Sequence, residues 1–329
     1  MNWTKRKRLE AAIAGEKPDR LPVALWRHWP GDDQNPRALA AAHLKWQHDY
    51  DWDLLKVGPS SSYSVDDWGV ETKWVGHIEG TREYVRRAVF TPDDWAALKP
   101  LNPQKGMLAA QIEALRLVGE GVGDSVPFTA TIFSPLSQAK HLAGDPAMLS
   151  HMRSHPDAFH RGLETITEST LRFIEAAKAT GIAGIFLAVQ HARYPLLSRA
   201  EFHEFGRAYD LRILAAVDDL WCNMVHLHSS EVMFDLVADY PAQFLNWHDR
   251  ETAVTLAEGL SHMQGAASGG IDHWTLHQDS PDGLLAEAKD AVAQTNGRRL
   301  LLGTGCVIMV TTPTQNIRAL REISVTFST

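Results

Sequence analysis

Two histidines one residue apart, His226 and His228, end the apolar run Cys222-Asn-Met-Val-His-Leu-His-Ser229. If this run is a β-strand, its side chains alternate between faces, so both imidazoles point the same way, roughly 6.6 Å apart along the strand. Two imidazoles on one face make half a metal site; the alternative is a pair of partly buried histidines bonded to backbone. A second apolar run, Arg299-Leu-Leu-Leu-Gly-Thr-Gly-Cys306, ends in one of only two cysteines. His226, His228 and Cys306 at the ends of two buried strands would supply three ligands and leave a fourth position open, the arrangement of a catalytic zinc. Glu231 is a candidate fourth ligand or base. It also falls in the first turn of a helix expected over 231–239, where the helix dipole alone favours a carboxylate.

These residues need strands and helices to position them, and the hydrophobic pattern supplies eight strand-like runs, each followed by helix. The runs are 23–26, 53–58, 126–133, 184–189, 222–229, 244–247, 266–271 and 300–306. The helical stretches are 4–14, 37–48, 106–118, 136–179 with breaks near 144–146 and 155–156, 199–220, 231–239, 251–263, 281–294 and 313–322. Residues 60–105 depart from the alternation: β-type patterning over 68–90 and a capped helical turn at 92–98 suggest a β-rich insertion after the second strand. Eight βα units in one chain predict an α/β fold, a single (β/α)8 TIM barrel over residues 1–329, with a doubly wound sheet as the competitor.

In such barrels the chemistry sits just beyond the strand ends. Read that way, the candidate site collects Arg27, His28, Ser60, Phe133, Gln190, His191, His228, His248, Asp272, His273, Thr304 and Cys306. Arg27 is a natural anchor for a carboxylate or phosphate, or one half of a structural salt bridge. His248 and His191 are candidate acid–base groups, or partners that hold a ligand's tautomer. Trp26, Trp29, Trp247 and Trp274 could wall a flat apolar substrate or simply pack. His28, Trp29, Ser60, Gln190, His191, Trp247 and His273 are therefore read as substrate-binding positions, with Arg27, His248 and Glu231 as catalytic ones.

Composition sets outer limits. At 329 residues and 44% hydrophobic content the chain buries a large core. A net charge of −8 argues against nucleic acid or an anionic membrane as the main partner. Two cysteines form no disulfide framework, and no apolar stretch of membrane-spanning length occurs, so a cytoplasmic protein is expected.

Several segments together carry a resemblance. Lys17-Pro-Asp-Arg-Leu-Pro-Val23, Asp51-Trp-Asp53 with Asp67-Trp-Gly-Val-Glu71, Leu197-Ser-Arg-Ala-Glu-Phe-His-Glu-Phe205, Leu245-Asn-Trp247 and Gly269-Gly-Ile-Asp272 resemble, in order and across nearly the whole chain, the uroporphyrinogen decarboxylase family. Its superfamily also holds cobamide-dependent methyltransferases. The resemblance implies a (β/α)8 barrel, and its decarboxylase branch implies a homodimer. It departs from true decarboxylases at four places: Gly31 replaces a second substrate arginine, Ser60 an aspartate, Gln138 a tyrosine and Thr304 a histidine. A neutral serine cannot give clustered N–H donors the charge-assisted bonds of an aspartate. The methyltransferase branch has a His-x-Cys pair on the fifth strand and a distant Cys after the eighth, which together bind zinc that activates a thiol. Here His226-Leu-His228 and Cys306 stand at those places, with His228 replacing a cysteine. That exchange raises the net charge of the metal site by one unit and strengthens its Lewis acidity.

The expected function is a zinc-dependent, methyltransferase-like enzyme. No Asp-x-His-x-x-Gly corrinoid motif occurs, so cobalamin would come on a separate corrinoid protein. The alternatives are a metal-free decarboxylase of a tetrapyrrole or smaller carboxylate, and a barrel that binds a tetrapyrrole or corrinoid without chemistry.

Overall fold

The computed structural model describes residues 3–327. Its centre is a parallel sheet, and the strands are labelled in chain order: β1 (Leu55–Val57), β2 (Glu71–Lys73), β3 (Glu83–Arg86), β4 (Phe128–Phe133), β5 (Gly184–Val189), β6 (Met224–Leu227), β7 (Phe244–Asn246), β8 (Ala266–Ile271) and β9 (Leu300–Thr304). Seven of them pair side by side in the order β1-β4-β5-β6-β7-β8-β9, all parallel. Every residue of these seven is buried, as expected of parallel strands covered by helices. The long helix Pro156–Lys178 shows how the cover is made, since Phe159, Leu163, Ile166, Thr170, Phe173 and Ala177 bury one stripe at helical spacing.

The first predicted strand, 23–26, is reduced to a single bridge between Val23 and Leu302. Around it Leu302 N–H donates to Pro22 O (2.9 Å), Ala24 N–H to Leu302 O (3.0 Å), and Asp53 N–H to Val23 O (3.0 Å). This segment therefore connects β9, one edge of the sheet, to the residues just ahead of β1, the other edge. The fully buried Asp53 carboxylate fixes it there. It takes two bonds from Arg20 (2.6 and 2.9 Å) and one from the Val23 N–H (2.9 Å).

Between β1 and the helix Gly106–Val122, the expected β-rich stretch contains a 3-10 turn at Asp66–Trp68, the antiparallel pair β2–β3 and the helix Pro92–Ala97. It is pinned to the body by a buried ion pair, Arg82 with Asp33 (3.1 Å), and by Val310 N–H to Ile78 O (2.8 Å). Gly80, at φ +80°, lies so close that a Cβ would stand 2.8 Å from that of His28.

Three predicted helices change. The one expected at 231–239 is absent: Ser229 (φ 78°) and Glu231 (φ 51°) are left-handed, Val232 bridges to Arg193, and only a 3-10 turn at Phe234–Leu236 forms. Glu231 consequently has no helix dipole behind it. The 199–220 stretch is Arg199–Glu201, a π-helical segment at Phe202–Arg207, and Ala208–Ala215. The 251–263 stretch begins at Leu256, leaving 248–255 as a turn. No helix among the described residues is long and apolar enough to cross a membrane.

Candidate metal centre

His226 lies on β6 with Asn246 of β7 as its register partner. Asn246 gives its amide N–H groups to Ser268 O (2.7 Å) and Thr304 O (3.1 Å), which leaves its Oδ1 as an acceptor facing the imidazole. His226 Nδ1 donates to that oxygen over 2.6 Å. The tautomer follows from the network: Nδ1 carries the proton and Nε2 keeps its lone pair.

His248 repeats the device two residues past β7. Its Nδ1 bonds Glu251 Oε2 (2.6 Å), and Glu251 Oε1 reaches His273 Nε2 (3.4 Å). His248 Nε2 is buried with no hydrogen-bond partner, which leaves its lone pair free to bind a ligand. His228 and Cys306 complete the group, with Sγ 3.6 Å from His228 Nδ1. One ligand-capable atom from each of His226, His228, His248 and Cys306 lies within 4.8 Å of all the others. Gly305 makes the approach possible, because a Cβ there would meet Trp247 O at 2.6 Å and His248 Cα at 2.7 Å.

Burial sets the charge state. It drives His226 far below the ordinary imidazole range, His228 to about 3, and His248 downward against the pull of Glu251. Burial likewise pushes the Cys306 thiol up to about 12, with Glu79 adding to it. Three neutral imidazoles and one thiol in a largely buried cluster are soft and borderline donors of the kind that hold zinc, at about 2.0–2.1 Å for nitrogen and about 2.3 Å for sulfur. The donor set and the orphaned Nε2 fit that ion.

A cavity of about 390 Å³ opens onto His226, His228 and Cys306, with His248 behind them. Of the residues expected from the sequence, Trp26, His28, Phe133 and Gln190 also line it. The others sit elsewhere. Arg27 stacks on Trp29 (4.7 Å), and Trp29 packs edge-on against His43 and Trp46. Neither is on the cavity wall. Ser60 is fully buried beside it and its hydroxyl has no partner. His191 bonds Asp145 (2.9 Å), Trp247 is core against Phe234, and His273 stands behind the centre, edge-on to the His248 ring at 5.7 Å and 3.4 Å from Glu251. Glu231 is exposed and outside the cluster. Gln138 spends its amide on Phe133 O and Thr170 Oγ1.

Sequence reasoning missed Lys56, which lines the cavity, and Asn246 and Glu251, which hold two of the imidazoles. The first two carried a readable signal, a polar residue in the middle of an apolar strand. Glu251 carried none, since it belongs to a turn that looked like the start of a helix.

The family described as Uroporphyrinogen decarboxylase (URO-D) matches residues 4–326. A methylcobamide:CoM methyltransferase of Methanosarcina barkeri is 23% identical over 97% of this chain and 96% of that protein. A uroporphyrinogen decarboxylase of Mycolicibacterium vanbaalenii is 27% identical over 88% of this chain and 86% of that protein. Among solved structures, a methyltransferase from Methanosarcina mazei superposes with a TM-score of 0.88 at 21% identity, covering 100% of both chains.

Proposed function

The chain belongs to the uroporphyrinogen decarboxylase family, and from that premise we propose that it is a zinc-dependent methyltransferase-like enzyme on a (β/α)8 barrel. In this reading the 22–26 segment is the eighth stave, and residues 60–105 are an insertion at the barrel mouth. The observation that carries the proposal is the convergence of His226, His228, His248 and Cys306 at the wall of a cavity sized for a small molecule. Similarity to methylcobamide:CoM methyltransferases over almost the full chain supports it.

Zinc held by these residues would act as a Lewis acid; an acceptor's thiol or hydroxyl, entering as a fifth ligand or in place of one imidazole, would be held in its deprotonated form. The chain's own residues do the rest. Asn246 and Glu251 hold the imidazoles of His226 and His248 in the tautomer that presents Nε2. Trp26, Phe133 and Phe186 exclude water from one side of the cavity. The methyl donor is a corrinoid carried by a separate protein or a methoxylated molecule entering from the cavity mouth. His248 is the ligand remote from the substrate, so its loss weakens the metal site where loss of His226 and Cys306 together abolishes it.

Elemental analysis of the purified protein tests this against a His226→Ala/Cys306→Ala double variant. About one zinc per chain, absent from the variant, is the expected result, with His248→Ala retaining metal at reduced affinity. No metal in either protein after chelator-free purification would sink the proposal and favour the decarboxylase alternative.

A further inference from the structure

Lys56 is the middle residue of β1. It is 4% exposed, yet among the described residues no carboxylate lies within ion-pair distance of it and no acceptor takes a hydrogen bond from it. Burial lowers its pKa only to about 8, so it remains charged near neutral pH. An unpaired buried ammonium is costly to keep, and what surrounds this one is a cavity wall. Its amine rests 4.5 Å from the centre of the Phe186 ring, and that ring in turn stacks on His226 at 5.3 Å. Those two distances put the amine within one small molecule's length of the metal ligands.

The rest of the wall agrees. Among the described residues, Lys140 is a second cation there with no carboxylate within ion-pair distance, although Asp145 is near enough to act on it, and Glu79 is the one acid on the wall. Arg82 and Arg87 add further positive charge, although Arg82 is tied to Asp33, and Arg87 to the carbonyls of Lys140 and His141. A chain of net charge −8 has thus gathered cations in this cavity. Arg27, the anion anchor expected from sequence, is elsewhere.

We propose that Lys56 is the anion anchor of the site, taking the acidic headgroup of a small acceptor whose other end reaches the His/Cys centre. The identity of the reacting end rests on the zinc reading above; the headgroup does not. A charge-assisted bond in a dry pocket is worth about tenfold or more in affinity.

Calorimetric titration of the zinc-loaded chain tests it with three probes: mercaptopropionate, mercaptoethanesulfonate and uncharged mercaptopropanol. At least one acid should bind about tenfold tighter than the alcohol, and whichever acid wins assigns the headgroup as carboxylate or sulfonate. Lys56→Met should bring that acid down to the alcohol's affinity without changing zinc content or alcohol binding, and Lys56→Arg should keep the preference. Equal binding of acids and alcohol to the unaltered protein would overturn the proposal. So would a Lys56→Met variant that loses zinc or binds the alcohol equally poorly, because Lys56 would then serve the Cys306 thiolate. The titration is repeated after chelator treatment. A preference for acid in a protein that holds no zinc after chelator-free purification and takes up none when it is added keeps the anchor and discards the zinc reading, whereas stoichiometric zinc with no preference does the reverse.

Discussion

At the scale of single residues, the site depends on groups that never touch a substrate. Asn246 and Glu251 each fix one imidazole through its Nδ1, so Asn246→Ala and Glu251→Gln should each lower zinc affinity about 10–100-fold while leaving the fold intact. Competition with a chelator of known affinity measures this. Unchanged affinity in both variants would mean the imidazoles are held by packing alone. The candidate ligands His226 and His228 were legible in the sequence because packing alone seldom puts two imidazoles on the same face of an apolar strand. His248 was legible only as a polar strand-end residue, since nothing linear says that a turn from 248 to 255 brings it to His226. Of the tryptophans Trp26 lines the cavity, while Trp29 and Trp247 misled for a physical reason: a large ring at a strand end serves packing as readily as binding, and Trp247 is fully buried.

At the scale of elements, the strands were readable because parallel strands covered on both faces are continuous apolar runs. The helix expected at 231–239 was misread, because positive φ values at Ser229 and Glu231 occur without a glycine to announce them. The helix Ala208–Ala215 carries its own pH response. Asp210 is fully buried, accepts a bond from Tyr240 (3.0 Å), and leaves its second oxygen without a partner. Burial raises its pKa to about 7. A carboxyl whose folded pKa lies above its unfolded value favours the folded state at low pH, and that contribution is lost as pH rises through the raised value. Between pH 4 and 8 Asp210 should therefore cost on the order of 2–4 kcal/mol of stability. Asp210→Asn should raise the melting temperature at pH 8 and flatten its fall with pH. Asp249, buried and likewise raised to about 7, leaves part of the slope in place. An unchanged slope in the variant would place the titration elsewhere.

At the scale of the whole molecule, the two edges of the sheet are joined through a segment held by side chains as much as by backbone. Asp53 binds Arg20 and the Val23 N–H, and Arg8 reaches it at 3.3 Å. Asp53→Ala would leave Arg20 buried without its counter-charge, a loss of about 3–5 kcal/mol, seen as a large drop in denaturant midpoint. A drop below about 1 kcal/mol, the ordinary worth of a surface pair, would show that the backbone bonds suffice. The sequence indicated eight staves, but it could not show that one of them is mostly a clamp.

The four donors at 226, 228, 248 and 306 come from three different strand ends, so they meet only in the folded chain. By mass action an ion that binds the folded and not the unfolded state stabilises by about 2.7 kcal/mol at a hundredfold excess over its dissociation constant. The melting temperature of this protein should then rise with the logarithm of free zinc, which would make the fold itself a gauge of metal supply.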